Sequence, residues 1–427
     1  MRGREKPLPC GRKACAERNG NMDKLIEKLE TSVENGAEVI VVGGGIAGVA
    51  AAVAAARSGA DVLLLEKGSL LGGLATNGLI SWYEPLCDGH GEQLMTGLAE
   101  ELLRLSIRYG DDTLPRIWKD EARPVDRSLI SPEKQHPIGG RYATFFSPTI
   151  FQLALDELLK KEGVRIRLDI LAARPIMEGS RCTGICCESK SGRQYFPAKT
   201  VVDASGDSDM FFRAGAPCAE GQNYFSFLAH VTDTSEKKKA LQQRRWMSIG
   251  ADLHGRGQRE GEPFTPCLTN EQITAFLLDG RAALLEKVKT KDRRNFEVTS
   301  LPSMPQARKT RRIKGACTLT EADCKRRCDT TVGLACDFEK PGDWYEIPWG
   351  CLYSEAVDNL LAAGRMVSSD GWAWDVTRVI PVCALTGQAA GTAAALMARE
   401  DVAAARLSMD ELQAALQAQG VRLHHDL

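Results

Sequence analysis

Three glycines decide what the stretch from Val39 to Lys67, VIVVGGGIAGVAAAVAAARSGADVLLLEK, can become. Its first eighteen residues, to Ala56, carry no charge, which by length and hydropathy alone is enough for a membrane helix. Gly43, Gly45 and Gly48 nevertheless fall in the order G-x-G-x-x-G, directly after four residues, Val39 to Val42, that are β-branched and read as a buried parallel strand. An Ala-rich helix follows to about Ser58, Gly59 ends it, and Asp61 to Leu65 reads as a second buried strand closed by Glu66. Gly43 permits the tight turn, Gly45 lets backbone approach a pyrophosphate, and Gly48 allows close helix-to-strand packing, so that Ile46 and Ala47 open a helix whose N-terminus faces the anion. Glu66 stands about twenty residues beyond the glycines, where an acid binds ribose hydroxyls. A membrane span needs none of this, so the stretch is expected around a dinucleotide.

A chain of 427 residues buries a large core and is expected to divide into two interleaved domains. With 55 basic against 56 acidic residues there is no footprint for nucleic acid or an acidic membrane surface. The fourteen cysteines are irregularly spaced and no secretory apolar segment opens the chain, which points to free thiols in a reducing cytoplasm. Residues 1 to about 22 are polar and expected to be loosely attached; MDKLIEKLETSVENG is expected to form a short helix. Near the other end, SMDELQAALQAQG reads as a helix capped by Ser408, with Glu411 completing a capping box and Gly420 just past its end.

Three further segments bear on the ligand. Gly72 and Gly73, followed by Leu74, lie beyond the second strand and suggest backbone passing close to a flat or charged group. Thr200 to Asp203 reads as a buried strand ending in the small-residue turn Ala204, Ser205 and Gly206, after a run of short strands and turns that reads as an antiparallel excursion. Asn359 to Ala363 reads as a strand ending at Gly364 and Arg365; Pro381 then stands near the start of a helix running to about Ala398. Gly387 and Gly391, with Ala384 and Ala395, give that helix a small-residue face, and its N-terminus is placed to face a ligand.

Taken together, VVGGGIAGVAAAVAAARSGADVLLLEK, GGLATNGL, VVDASGDSD, RRIKGACTLTEAD, YEIPWGCLY and NLLAAGRMVSS with RVIPVCALTGQAAGTAAAL resemble the FAD-dependent oxidoreductase family of glutathione-reductase-like, two-dinucleotide-binding-domain flavoproteins, over residues 37 to 420. The resemblance implies FAD, an α/β fold with a Rossmann-like FAD-binding domain (residues 37–80, 149–221 and 301–400), and an inserted α+β cap (81–148 and 222–300). Residues 1–36 form an N-terminal extension, and residues 401–427 a C-terminal helix and tail. It implies the adenosine diphosphate at Gly43 to Gly48, Glu66 and Lys67, and the isoalloxazine near Gly72, Gly73, Leu74 and the helix after Pro381. Ala204, Ser205, Gly206, Gly364, Arg365, Thr386 and Gly387 complete the expected cofactor contacts. In sequences similar to this one a histidine often precedes the A-x-x-x-T-R-V run; here Gly371 stands in SSDGWAWDVTRV, leaving Trp372, Trp374 and Asp375 as local substitutes.

Arg378, three residues before Pro381, is the expected catalytic cation, polarising the flavin pyrimidine or a substrate carboxylate, with Asp375 beside it. Arg308, Arg311 and Arg312 either meet an anionic group, line the flavin site or form a solvated strand edge. Tyr83, His90, Tyr142 and His230 are read as structural, and Cys317, Cys324, Cys328 and Cys336, which contain no C-x-x-C pair, as metal-free. The expected reaction passes a hydride or electron pair between an unidentified small molecule under the cap and flavin N5, with an unidentified electron acceptor. Two alternatives stay open: a nicotinamide-dependent dehydrogenase and a flavin-binding electron-relay subunit.

Overall fold

The computed structural model describes residues 27–115, 118, 141–235, 244–258, 261 and 264–426, with the pairs 16–17 and 24–25. Strand β1 (Ala37–Val42) enters the core with Val39, Ile40 and Val41 fully buried, and the glycine turn leads into helix α1 (Ile46–Arg57). Strand β2 (Val62–Leu65) returns parallel to β1, Val39 opposite Val62 and Val42 opposite Leu65. Both strands are apolar without alternation because helices or strands cover both their faces. Helix α2 (Leu98–Ile107) and helix α3 (Pro148–Lys161) precede β3 (Arg165–Arg167), which extends the sheet beyond β2.

The antiparallel excursion follows as β4 (Ile170–Glu178), β5 (Arg181–Ser189) and β6 (Gly192–Asp203). Strand β6 is long enough to serve two partners. Its first half pairs antiparallel with β5, while its second half runs parallel to β1, Thr200 opposite Val39 and Asp203 opposite Val42. The main sheet therefore has the order β3-β2-β1-β6-β5-β4.

Residues 222–300 look poor in strand alternation, yet they build a second sheet. Strands β7 (Ser226–Asp233), β8 (Arg244–Gly250) and, after helix α4 (Asn270–Val288), β9 (Phe296–Ser300) pair antiparallel in the order β8-β7-β9. The alternation is hidden because this sheet packs its own small core, Phe225, Phe227, Ala229 and Ile249 against Phe276 and Leu284 of α4. A reciprocal capping box starts α4: the Thr269 hydroxyl accepts from Gln272 N at 3.2 Å and the Gln272 side chain accepts from Thr269 N at 3.3 Å.

Beyond a hairpin of β10 (Thr331–Cys336) and β11 (Trp344–Pro348), strand β12 (Leu360–Ala362) joins the main sheet parallel to β6. Helices α5 (Gly371–Thr377), α6 (Ile380–Glu400) and α7 (Met409–Ala418) complete the chain. By length and apolar composition α6 is long enough to cross a membrane, but it is the central helix of the main core, almost wholly buried against α1 and α2. A Cβ on Gly387 would lie 2.2 Å from the Ala47 carbonyl oxygen, and one on Gly391 2.1 Å from that of Ala51. The small-residue face of α6 is thus a seat for α1.

Two expectations change at the periphery. Helix α2 lies in the 81–148 insertion, but its Leu98, Leu102 and Leu103 enter the main core rather than the second one. The short helix expected over MDKLIEKLETSVENG is replaced, among its described residues, by extended chain: Lys24 and Leu25 are in a strand, and Ser32 and Val33 pair with Gln194 and Tyr195 of β6. A helix this short is marginal alone, and an open strand edge offers it backbone partners. The remainder of the expected loosely attached segment, 1–15 and 18–22, lies outside the described residues. At the far end, Ser408 accepts from Glu411 N at 3.3 Å, but the Glu411 side chain does not return the bond, so the expected capping box is only half formed; Gly420 takes φ +81°, as a helix stop requires.

Candidate active site

The turn between β1 and α1 is built almost wholly of backbone. Gly43 takes φ +101°, and a Cβ there would lie 2.5 Å from the Ala204 carbonyl oxygen; one on Gly48 would lie 1.8 Å from the oxygen of Gly43. These two glycines close the turn on itself. Gly45 differs: its nearest neighbour to an added Cβ is Gly73 Cα at 4.0 Å, so that face is open. Gly45 also caps α1 without any side-chain hydrogen bond, leaving the first N–H groups of the helix aimed into the same space. Gly72 donates to the Gly44 carbonyl at 2.7 Å and, with Gly73, draws a second backbone segment alongside. Leu74 is half-buried in the short turn that follows. An open, backbone-lined concavity at an uncapped helix N-terminus fits a pyrophosphate.

Glu66 sits beside this cradle, but its carboxylate also holds the loop. Oε2 accepts from Gly44 N and Oε1 from Gly68 N, each at 2.6 Å. Each oxygen retains a second lone pair, the one a ribose hydroxyl would use. Lys67 is exposed.

The Ala204–Gly206 turn is braced from below and from the side. Asp203, fully buried, accepts from Ser205 N at 3.0 Å and Met210 N at 2.8 Å, and burial pushes its carboxyl up to about 6. Arg365 donates Nε to the Gly206 carbonyl and Nη1 to that of Ala307, both at 2.7 Å, and Nη2 to Asp207 at 2.6 Å. Burial alone would raise the Asp207 carboxyl, but Arg365 and the Thr310 hydroxyl outweigh it and hold the group below the usual range. Several residues expected at the cofactor are therefore engaged with protein. Thr386 is buried and accepts from Gly364 N at 3.0 Å; a Cβ on Gly364 would meet Ala47 Cβ at 2.8 Å, and Gly387 backs onto Ala47 from the other side. Gly364, held by Thr386, and Gly387 fix the position of Ala47, and with it the cradle.

Charged groups from both cores converge just before α6. Arg378 donates Nε to Asp375 Oδ1 at 2.9 Å, and Lys309 Nζ lies 2.7 Å from Asp375 Oδ2. Arg308, whose Nη2 reaches Ser226 Oγ of β7 at 3.3 Å, is pulled down to about 10 by burial and the nearby charge of Arg378. The Glu84 carboxylate accepts from Ile380 N at 3.2 Å, capping α6, and burial raises it to about 7 against the pull of Arg378. Glu84 and Asp207 are invisible as site residues in the sequence, since Glu84 and Ile380 are 296 positions apart and no local pattern joins them.

The aromatic substitutes for the missing histidine face away from one another. Trp374 donates to the Arg365 carbonyl at 2.6 Å, whereas Trp372 turns to Asp337 and stacks near Phe338. Gly371 is needed for its own φ of +56°, at the first residue of α5. Tyr83 and Tyr142 are held inside the main core by the Ala99 carbonyl and the Glu100 carboxylate. Among the described residues no three His, Cys, Asp or Glu side chains are grouped to hold a metal, and the described cysteines are free thiols.

The model for the family described as FAD dependent oxidoreductase matches residues 38–263 and 268–416. No curated protein matches the chain. Among solved structures it is similar to BexE, at 14% identity and TM-score 0.47, over 90% of this chain but 66% of that one, just under two thirds of its length. It is also similar to a geranylgeranyl bacteriochlorophyll reductase-like protein from Thermoplasma acidophilum, at 12% identity and TM-score 0.44, over 92% of this chain and 93% of that one. A third is the p-nitrophenol 4-monooxygenase PnpA from Pseudomonas putida DLL-E4, at 15% identity and TM-score 0.44, over 91% and 89%. Superpositions this loose leave the weight on the family match, which runs from β1 through the glycine turn, the charged convergence and α6. The chain belongs to the FAD dependent oxidoreductase family, an enzyme family whose cofactor is FAD.

Proposed function

We propose that this enzyme moves a hydride or electron pair between a small molecule and FAD, with the small molecule lying where the sheet of β7, β8 and β9 meets the main core. The architecture we assign is glutathione-reductase-like, with the second core acting as the cap. FAD, when bound, supplies a two-electron acceptor. The chain supplies position and charge. Gly43, Gly45, Ile46, Ala47 and Gly48 would hold the pyrophosphate at the N-terminus of α1, with Glu66 at the ribose and Lys67 at the rim. Gly72, Gly73 and Leu74 would line one side of the ring system, and the Ala204–Gly206 turn, braced by Arg365, another. Gly364, Thr386 and Gly387 would act through Ala47. Arg378, oriented by Asp375, would set the local potential beside the N-terminus of α6.

The observation that carries this reading is the one-sided openness of Gly45 between two glycines that have no room for a side chain. The family match favours FAD over the nicotinamide alternative, and the electron-relay reading is the one that the reaction test decides. To test the reaction, the yellow holoenzyme is mixed anaerobically with a panel of alcohols, amines and hydroxy acids. Bleaching by one of them, slowed when the transferred hydrogen is deuterium, is the expected result. Reduction by one-electron carriers alone, with no bleaching by any C–H donor, overturns it.

A further inference from the structure

Four basic residues lie between Arg308 and Arg312, and three of them have a carboxylate partner. Lys309 reaches Asp375 at 2.7 Å, Arg311 reaches Asp209 at 2.9 Å, and Arg312 reaches Asp370 at 3.2 Å. Arg308 has no carboxylate within 4.0 Å among the described residues. Its one side-chain hydrogen bond is the 3.3 Å contact to the Ser226 hydroxyl.

The position is nevertheless built. Asn223 Oδ1 accepts from the backbone N–H of both Arg308 and Lys309 at 2.7 Å, while its Nδ2 donates to the carbonyls of Lys309 at 2.7 Å and Thr265 at 3.0 Å. The backbone of Arg308 is therefore fixed at the seam, and its guanidinium reaches Ser226 of β7 close enough to Arg378 and Asp375 of the main core to feel their charge. Arg308, Lys309 and Arg378 share Asp375, while Asp252, the other carboxylate acting on Arg308, is not within ion-pair distance of it and is bound by Arg256 at 2.6 Å, which leaves an excess of positive charge in a partly desolvated place. Glu84 is only partly ionised there at neutral pH, because burial raises its carboxyl to about 7. A desolvated guanidinium without an anion is costly, and an arriving carboxylate that accepts two parallel N–H bonds removes that cost.

We propose that Arg308 is the anion-binding residue of the substrate site, receiving a planar carboxylate of the substrate, with Arg378 contributing a second positive charge from its seat on Asp375. This rests on the reading that the substrate lies at the seam. It places the substrates among small carboxylic acids, with the reacting carbon elsewhere in the molecule. A carboxylate is favoured over a phosphoryl group because Arg378 already engages Asp375 through Nε and Nη2, leaving one free arginine fork rather than a cluster of them.

The test uses the FAD-loaded full chain and benzoate, an unreactive planar carboxylate, with uncharged benzamide and inorganic phosphate as comparators. Benzoate should perturb the flavin absorbance saturably, benzamide should not, and phosphate should bind more weakly than benzoate. Arg308→Gln should weaken benzoate about tenfold or more, and Arg308→Lys should recover part of the loss, with FAD content and melting temperature unchanged in both. If the glutamine variant fails to keep FAD, the lysine variant decides: affinity equal to wild type overturns the proposal. Equal binding of benzamide, tighter binding of phosphate, or an indifferent Arg308→Gln also overturns it. A protein bleached by C–H donors but blind to benzoate loses only the anion assignment. One that binds benzoate through Arg308 yet is bleached by no C–H donor keeps the site and loses the proposed reaction.

Discussion

Gly45 and Gly48 belong to one motif, yet their surroundings predict different failures. At Gly45 the backbone is extended, φ −67°, which valine tolerates, and the side chain would point into open space. Gly45→Val is expected to fold with near wild-type melting and to carry no FAD, read from the ratio of flavin to protein absorbance. Gly48→Ala puts a methyl 1.8 Å from the Gly43 carbonyl oxygen and is expected to lose about 1–3 kcal/mol of stability in denaturant titration, whatever its flavin content. Arg378 is separable in the same way. Its charge lies beside the N-terminus of α6, and in the placement we propose it would favour an electron-rich, reduced ring, so Arg378→Met should keep FAD and lower its midpoint potential. A lost charge-assisted hydrogen bond of about 1.5–3 kcal/mol corresponds to some tens of millivolts for a two-electron couple. Dye-coupled titration reads the shift, and an unchanged potential would leave Arg378 as a partner for Asp375 alone.

The N-terminus of α6 shows how an element can be tuned by a residue from a distant part of the chain. Glu84 caps it, and burial raises its carboxyl in the fold to about 7 from its ordinary 4.5. For an acid whose folded pKa is raised, the folded state holds the proton more tightly, so the stability this group contributes is fully present below about 4.5 and is lost as pH rises through 7. Glu84→Gln keeps an oxygen able to accept from Ile380 N and removes the titration. The variant should therefore match wild type at pH near 4.5 and exceed it above pH 7 by about 1–3 kcal/mol, measured as the difference in denaturation midpoint at fixed FAD. A difference that does not change across that window would show that the carboxyl is not raised. The α1–α6 contact works by another means: Gly387 and Gly391 let two apolar helices approach backbone to backbone, which locks Ala47 and hence the cradle in place.

At the scale of the whole molecule the two hydrophobic cores are distinct, and the substrate site we propose lies between them. That separation can be tested without touching the cradle. A Cβ on Gly280 of α4 would lie 2.3 Å from the ring of Phe227, so Gly280→Val is expected to pry α4 from its sheet. Limited proteolysis should then cut within residues 222–307 while FAD stays bound. Loss of FAD together with the cap would show that the cores fold as one unit.

Local sequence was enough for β1, the glycine turn, α1 and β2, because a buried parallel strand, a left-handed turn and a close helix packing each restrict residue type at adjacent positions. It was enough for the cap at Ser408 for the same reason. It announced glycines at 364 and 387 without saying that they press on Ala47, since close approach to a helix and close approach to a ligand impose the same demand for lack of bulk. The strands of the second core escaped notice because their burial is one small domain's own, among charged surface turns. Charge pairing lay furthest from view: a run of basic residues reads alike whether each has a partner or one does not. Only the tertiary fold, by bringing Asp375, Asp209 and Asp370 into ion-pair contact with three of them and no described carboxylate that close to Arg308, singles out the cation we assign to a ligand.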